Sequence, residues 1–261
     1  MIELNDVSVF YKQDKKLDSL NVNIQTGDKV GITGHSGAGK SLFIKTILGL
    51  LTPEWTVKGN IMLLNQYSLK DISIMEKRQL LKKYISYIPQ DTLNALNPYI
   101  PVLEQLKTEW LFLYKGSTEQ AEKESIHWLK KVGITGSKNS LNVLPKDYSG
   151  GMKQRVVCAL ALMKQPKILI ADEPSSALDL INQLNMLTLL KSYMQDEMTL
   201  LYVSHSPAMI KELCNKVILF HQGKVLEFTD KNKFFDTPQT MVGKELLYAT
   251  KELAKYGKMY S

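Results

Sequence analysis

Leu20, Val22 and Ile24 alternate with Asn21, Asn23 and Gln25. A period of two places the apolar side chains on one face of a half-buried strand, and Thr26-Gly27-Asp28 reads as the turn that ends it. The opening stretch MIELNDVSVF also alternates in polarity, and Glu3 and Asp6 within it favour a strand over a secretory signal. Residues 29–33 form a short apolar run, the pattern of a buried strand, and three glycines follow within a loop. From Lys40 the period lengthens. Phe43, Ile44, Ile47, Leu48 and Leu51 fall at helical spacing, which predicts a helix running on until Pro53 stops it.

The same reading predicts a strand over 57–65, a charged helix over 75–83 and a strand over 84–89. Between about 93 and 145 the strongest patterns are helical, near 102–114 and 118–132, with Gly116-Ser117 between them. After this helical insert, strands at 168–171 and 199–203 alternate with helices at 179–194 and 207–213. A hairpin comes next, with strands 217–220 and 224–228 around the turn His221-Gln222-Gly223, and residues 244–261 read as a lysine-rich amphipathic helix. Alternation of this type predicts an α/β fold with a mainly parallel sheet.

Composition narrows the function. The chain has 261 residues, 44% of them apolar, so it can bury a sizeable core. No apolar run approaches the roughly 18 residues that span a bilayer, which excludes a channel built from this chain alone. Its two cysteines, Cys158 and Cys214, cannot make a disulfide framework or a four-ligand zinc site. The net charge of +7 is spread over scattered lysines rather than a basic stripe interleaved with aromatics, so no nucleic-acid partner is expected.

Gly34-His35-Ser36-Gly37-Ala38-Gly39-Lys40-Ser41 fits the phosphate-loop pattern G-x-x-x-x-G-K-[ST], between an expected strand and an expected helix. Glycines let backbone N–H groups close around phosphate oxygens, and the helix N-terminus adds partial positive charge. Lys40 can reach the terminal phosphates, and the Ser41 hydroxyl can bind Mg²⁺. Far downstream, the apolar strand Ile168-Leu169-Ile170-Ala171 ends in Asp172-Glu173. A carboxylate at the end of a buried strand faces the ligand crevice. Asp172 is therefore expected to hold Mg²⁺, and Glu173 to orient and deprotonate a water.

Tyr148-Ser149-Gly150-Gly151-Met152-Lys153-Gln154-Arg155 resembles the LSGGQ-type signature of ATP-binding cassette (ABC) ATPases, with Tyr for the first Leu and Met in fifth place. Ser149 is in any case a plausible helix N-cap, and the paired glycines leave N–H groups open to an anion. Other stretches extend the resemblance. Gln90 is similar to the Q-loop glutamine, Ser175-Ser176-Ala177-Leu178-Asp179 to the D-loop, and His205 to the switch histidine. Tyr11 stands where the family places an aromatic on adenine, with Phe10 beside it as the alternative. Gln90-Asp91-Thr92-Leu93-Asn94-Ala95-Leu96-Asn97-Pro98 resembles the corresponding stretch of dipeptide, oligopeptide and nickel importer ATPases, except for Thr92 where many have Pro.

This resemblance implies a P-loop NTPase of the ABC type, with a RecA-like core, an antiparallel β subdomain and a helical signature subdomain at roughly 93–164. The nucleotide-binding domain would span 1–243, with a helical tail over 244–261. ATP and Mg²⁺ are the implied ligands. ATP would be held by Tyr11, Gly34, His35, Ser36, Gly37, Ala38, Gly39, Lys40, Ser41 and Leu42, and across a dimer by Ser149, Gly150 and Gly151. Mg²⁺ would be held by Ser41, Gln90 and Asp172, while Glu173, His205 and Gln90 would serve catalysis. The resemblance further implies an importer taking up peptides, nickel or a metal chelate. It would work at the cytoplasmic face of the membrane, beneath two membrane-spanning permease subunits, with a second and different ABC ATPase and an extracytoplasmic solute-binding protein. An ABC exporter ATPase and a DNA-associated ABC ATPase are the alternatives.

Overall fold

The structure, a computed structural model, describes residues 1–92, 94–174 and 180–259. The D-loop stretch 175–179 lies outside the described residues. In chain order the elements are β1 (Ile2–Tyr11), β2 (Asp14–Ile24), β3 (Lys29–Thr33), α1 (Lys40–Leu48), β4 (Trp55–Leu63), β5 (Tyr67–Ser68), α2 (Ile74–Tyr84), β6 (Ile85–Ile88), α3 (Val102–Tyr114) and α4 (Thr118–Lys131). They continue with α5 (Lys138–Leu141), α6 (Gly150–Leu162), β7 (Ile168–Asp172), α7 (Leu180–Tyr193), β8 (Thr199–Val203), α8 (Pro207–Leu213), β9 (Lys216–His221), β10 (Lys224–Asp230), α9 (Lys231–Asp236) and α10 (Met241–Met259). The chain divides into two compact units, Met1–Gln79 with Asp196–Ser261, and Leu80–Gln195.

In the first unit, β2, β1, β4 and β5 form an antiparallel sheet in that order. The period-two reading holds in β2: Leu20, Val22 and Ile24 are buried while Asn21 and Asn23 are exposed. Alternation in β1 is broken where Asp6 takes a φ of 50° and the register shifts. Beside this sheet in sequence, β3 pairs in parallel with β8 and with β9, and β10 returns antiparallel to β9. Gly31 of β3 has no side chain, and a Cβ there would run into Ile210 of α8 (Cγ1 at 3.1 Å). The helix can lie close on the strand for that reason.

Among the boundaries that differ from the periodic pattern, two have a visible backbone cause. Helix α1 ends at Leu48 rather than near Pro53, because Gly49 adopts the left-handed conformation (φ 61°) and its N–H turns back to Thr46 O. Leu50 N–H bonds Lys45 O at 2.9 Å, closing the helix in the manner of a Schellman cap. Strand β4 ends at Leu63 because Leu64 and Asn65 both take positive φ.

In the second unit, β6 pairs in parallel with β7, whose five residues are all buried. Helices α3, α4 and α6 pack together. The α4 start is a capping box: Ser117 Oγ accepts from Gln120 N–H, and Gln120 Oε1 accepts from Ser117 N–H. Short α5 and, in the first unit, α9 carry too few residues to show a period, and the apolar pattern did not reveal them.

Candidate functional site

The first unit holds the phosphate loop. Strand β3 delivers the chain to Gly34, and Gly34, Gly37 and Gly39 take φ of 142°, 76° and 110°, conformations that a side chain would strain. A Cβ on Gly37 would meet nothing within 4 Å, so the loop's middle borders open space. Lys40 is buried at 6% exposure, and its ammonium donates to Gly34 O (2.9 Å) and His35 O (3.0 Å) of its own loop. The loop therefore curls around a cation. Gly39, the N-cap of α1, supplies no side-chain cap, and the first turn of any α-helix carries N–H groups with no carbonyl one turn back to receive them. A cation, a glycine cradle and an open helix N-terminus fit a polyphosphate.

In the same unit His205 follows the buried strand β8. The turn around it is fixed: Ser204 N–H donates to Ile32 O (3.1 Å) and Ser206 N–H to Ser204 Oγ (3.0 Å). Tyr11 closes β1 and is half-buried, its ring 4.9 Å from Trp55 and tilted 51° to it. Trp55 is a candidate platform residue that sequence reasoning missed, since its neighbourhood with Tyr11 comes from the antiparallel pairing of β1 with β4. Phe10 lies under Lys15 and Lys58 Nζ, at 5.8 and 5.1 Å from its ring centre.

The second unit holds the carboxylates. Asp172 ends β7 at 3% exposure, and Tyr87 of β6 donates its hydroxyl to Asp172 Oδ2 at 3.3 Å. Burial, then the neighbouring Asp172 charge, push the Tyr87 phenol up to about 12, so it stays a proton donor at neutral pH. Glu173 leaves the strand with φ 48°, a conformation that costs a non-glycine residue energy and is found at working sites. Gln90, just after β6, donates from Nε2 to Glu173 Oε2 at 3.1 Å. The structure thus brings Gln90, Asp172 and Glu173 together and adds Tyr87, which no motif had singled out.

The signature stretch opens α6. Ser149 is its N-cap, accepting from Met152 N–H at 3.3 Å, and the exposed Gly150 and half-buried Gly151 begin the first turn. Tyr148, the departure from the family's Leu, is buried and donates its hydroxyl to Leu141 O at 3.2 Å. An aromatic body with a satisfied polar tip fits that position.

Among the described residues no group of three or more His, Cys, Asp or Glu side chains gathers as a metal cage. Mg²⁺ requires none, since it is held by one or two carboxylates together with water and substrate phosphates. In the first unit the Ser41 hydroxyl, and in the second the Asp172 carboxylate, is each by itself a hard oxygen donor of that kind.

Residues 17–176 match the family model described as ABC transporter. The oligopeptide transport ATP-binding protein OppD of Salmonella typhimurium is 33% identical over 98% of this chain and 78% of its own. The dipeptide transport ATP-binding protein DppD of Escherichia coli is 33% identical over 98% of this chain and 80% of its own. Among solved structures, a dimeric ATP-binding cassette in a post-hydrolysis state, bound to ADP and Pi, superposes with a TM-score of 0.77 at 28% identity, covering 88% of this chain and 99% of that one. The α/β fold is that of the ABC cassette, a P-loop NTPase, and the chain belongs to the ABC transporter family as one of its ATP-binding, ATP-hydrolysing members.

Proposed function

We propose that this chain is the ATPase subunit of an importer for dipeptides or oligopeptides. The observation that carries the ATPase half is the phosphate loop, which wraps a buried Lys40 and presents an open helix N-terminus. The choice of peptides over nickel rests on the named relatives, which are peptide transport proteins. Among the described residues no helix is long and apolar enough to cross a membrane. By its kinship with peptide transport ATP-binding proteins, the chain would work at the cytoplasmic face, docked on two permease subunits and paired with a second, different ATPase. An extracytoplasmic solute-binding protein would deliver the peptide.

In this reading Lys40 leaves the loop carbonyls to pair with the β- and γ-phosphates, and backbone N–H groups from Gly37 to Leu42 bind their oxygens. Tyr11 stacks on the adenine. Glu173 accepts a proton from the water that attacks the γ-phosphorus, the bond to the β-phosphate oxygen breaks, and ADP and phosphate result. Gln90, bonded to Glu173, orients that carboxylate and senses the nucleotide. His205 steadies the γ-phosphate and the attacking water. Mg²⁺, held by Ser41, Asp172 and Gln90, would supply charge neutralisation on the phosphates. Ser149, Gly150 and Gly151 would complete the site of the partner ATPase.

The test is uptake. Vesicles carrying the assembled transporter should accumulate a labelled dipeptide with ATP, and Lys40→Ala should abolish both uptake and ATP hydrolysis. Losing a charge-assisted contact to phosphate costs roughly 10–100-fold in ATP affinity. Accumulation of nickel instead of peptide would overturn the cargo, and unchanged hydrolysis in Lys40→Ala would overturn the phosphate-loop reading.

A further inference from the structure

The turn between β9 and β10 is a two-residue hairpin loop, Gln222-Gly223, with φ of 47° and 75°. Positive φ at both places matches the twist of the flanking strands. Its position has a consequence beyond closing a hairpin. Gly223 N–H donates to Ala38 O of the phosphate loop at 2.9 Å, and Gly223 O accepts from Asp18 N–H of β2 at 2.9 Å. One residue is thus bonded on one side to the loop that would carry the polyphosphate. On the other side it is bonded to the antiparallel sheet whose strand β1 ends in Tyr11.

The fit around this residue is close. A Cβ on Gly223 would collide with the Lys16 carbonyl, with Lys16 C at 3.1 Å. Gly39 faces it from the phosphate loop, where a Cβ would stand 2.8 Å from Leu17 Cδ2 and 3.5 Å from Gly223 Cα. At the other end of the loop, Gly34 backs onto the main chain of Phe220, the next-to-last residue of β9. Loop and hairpin therefore meet at both ends of the loop. Side chains brace the same junction: Asp18 is paired with Lys15 at 2.7 Å and with Lys224 at 3.3 Å, the latter joining β2 to the first residue of β10.

We propose that Gly223 is a positioning residue that fixes the spacing between the adenine platform and the phosphate loop. The proposal rests on the nucleotide-site reading above. A ligand with two recognised ends gains when both subsites are held at the right separation, because binding one end delivers the other at high effective concentration. If the separation is loose, each end still binds, and the gain from linking them is lost. The turn touches neither subsite's ligand-facing groups. Its effect falls on their relation.

The experiment compares MgATP with its two halves, adenosine and inorganic triphosphate, in equilibrium binding to the full chain. Gly223→Ala should weaken MgATP about tenfold, a fraction of the gain that linkage can supply, while adenosine and triphosphate keep the parent affinities. In steady state the KM for ATP should rise with kcat held. Should Gly223→Ala fail to fold, Asp18→Asn decides, since it removes both ion pairs and leaves the backbone untouched. It should weaken MgATP in the same pattern by a smaller factor. Triphosphate binding that falls in step with MgATP would overturn the proposal, as would parent-like MgATP binding in the variant that folds. The underlying reading fails differently: a parent chain that binds no MgATP, or a Lys40→Ala variant that binds triphosphate normally, refutes the nucleotide site itself.

Discussion

Tyr11 shows how far a single residue can be read. Its place ahead of the phosphate loop marks it in the sequence, but Phe10 beside it carries the same aromatic signal. The structure gives the two different surroundings. Phe10 has Lys15 and Lys58 over its ring, whereas Tyr11 stands at the strand's end against Trp55, with Lys12 Nζ 5.6 Å from its ring centre. Tyr11→Ala should weaken ATP by about 1–3 kcal/mol if the ring stacks on adenine. Calorimetry with ATP and with inorganic triphosphate measures this, and triphosphate binding should not change. Equal losses for both ligands would assign Tyr11 to the fold. Trp55 and Tyr87 were not legible beforehand because their partners are set by strand pairing, Tyr11 with Trp55 and Tyr87 with Ile170, two residues before Asp172, rather than by nearness in the chain. Lys40, Asp172 and Glu173 were legible because a short spacing motif fixes each against its own strand and helix.

At the scale of elements, apolar period predicted existence and type better than ends. The run from Phe43 to Leu51 keeps helical spacing past the true terminus, where Leu50 is exposed and Leu51 only half-buried, so the spacing outlasts the buried face of the helix. Backbone conformation sets the stop, and only Gly49 carried that signal. Gly49→Ala would force a Cβ into a left-handed residue and displace the Lys77 side chain, whose Cδ lies 2.7 Å from the new atom. The left-handed conformation costs about 1–2 kcal/mol for a residue with a Cβ. Denaturant unfolding of Gly49→Ala should show a loss of that size with an unchanged slope. No loss would mean that the cap contributes nothing and that the end of α1 is set by packing alone. Elements shorter than two turns, α5 and α9, fall below what any period can show.

At the scale of the molecule, the account divides labour. The first unit carries the phosphate loop, Tyr11 and His205, and the second carries Gln90, Asp172, Glu173 and the signature helix. Glu173 contacts the attacking water rather than the nucleotide in this account, so binding and cleavage should be separable by mutation there. Glu173→Gln keeps the side chain's shape and its ability to bond Gln90, and it removes the charge that would take a proton from water. Removing a general base typically slows a reaction about 10²–10⁴-fold. The decisive measurement is single-turnover ATP cleavage alongside equilibrium MgATP binding, for the parent and for Glu173→Gln, in the assembled transporter. The account predicts parent-like affinity with cleavage slowed by that factor and a nucleotide-bound dimer that accumulates. Cleavage at the parent rate would contradict it, making Glu173 a structural acid at the end of β7.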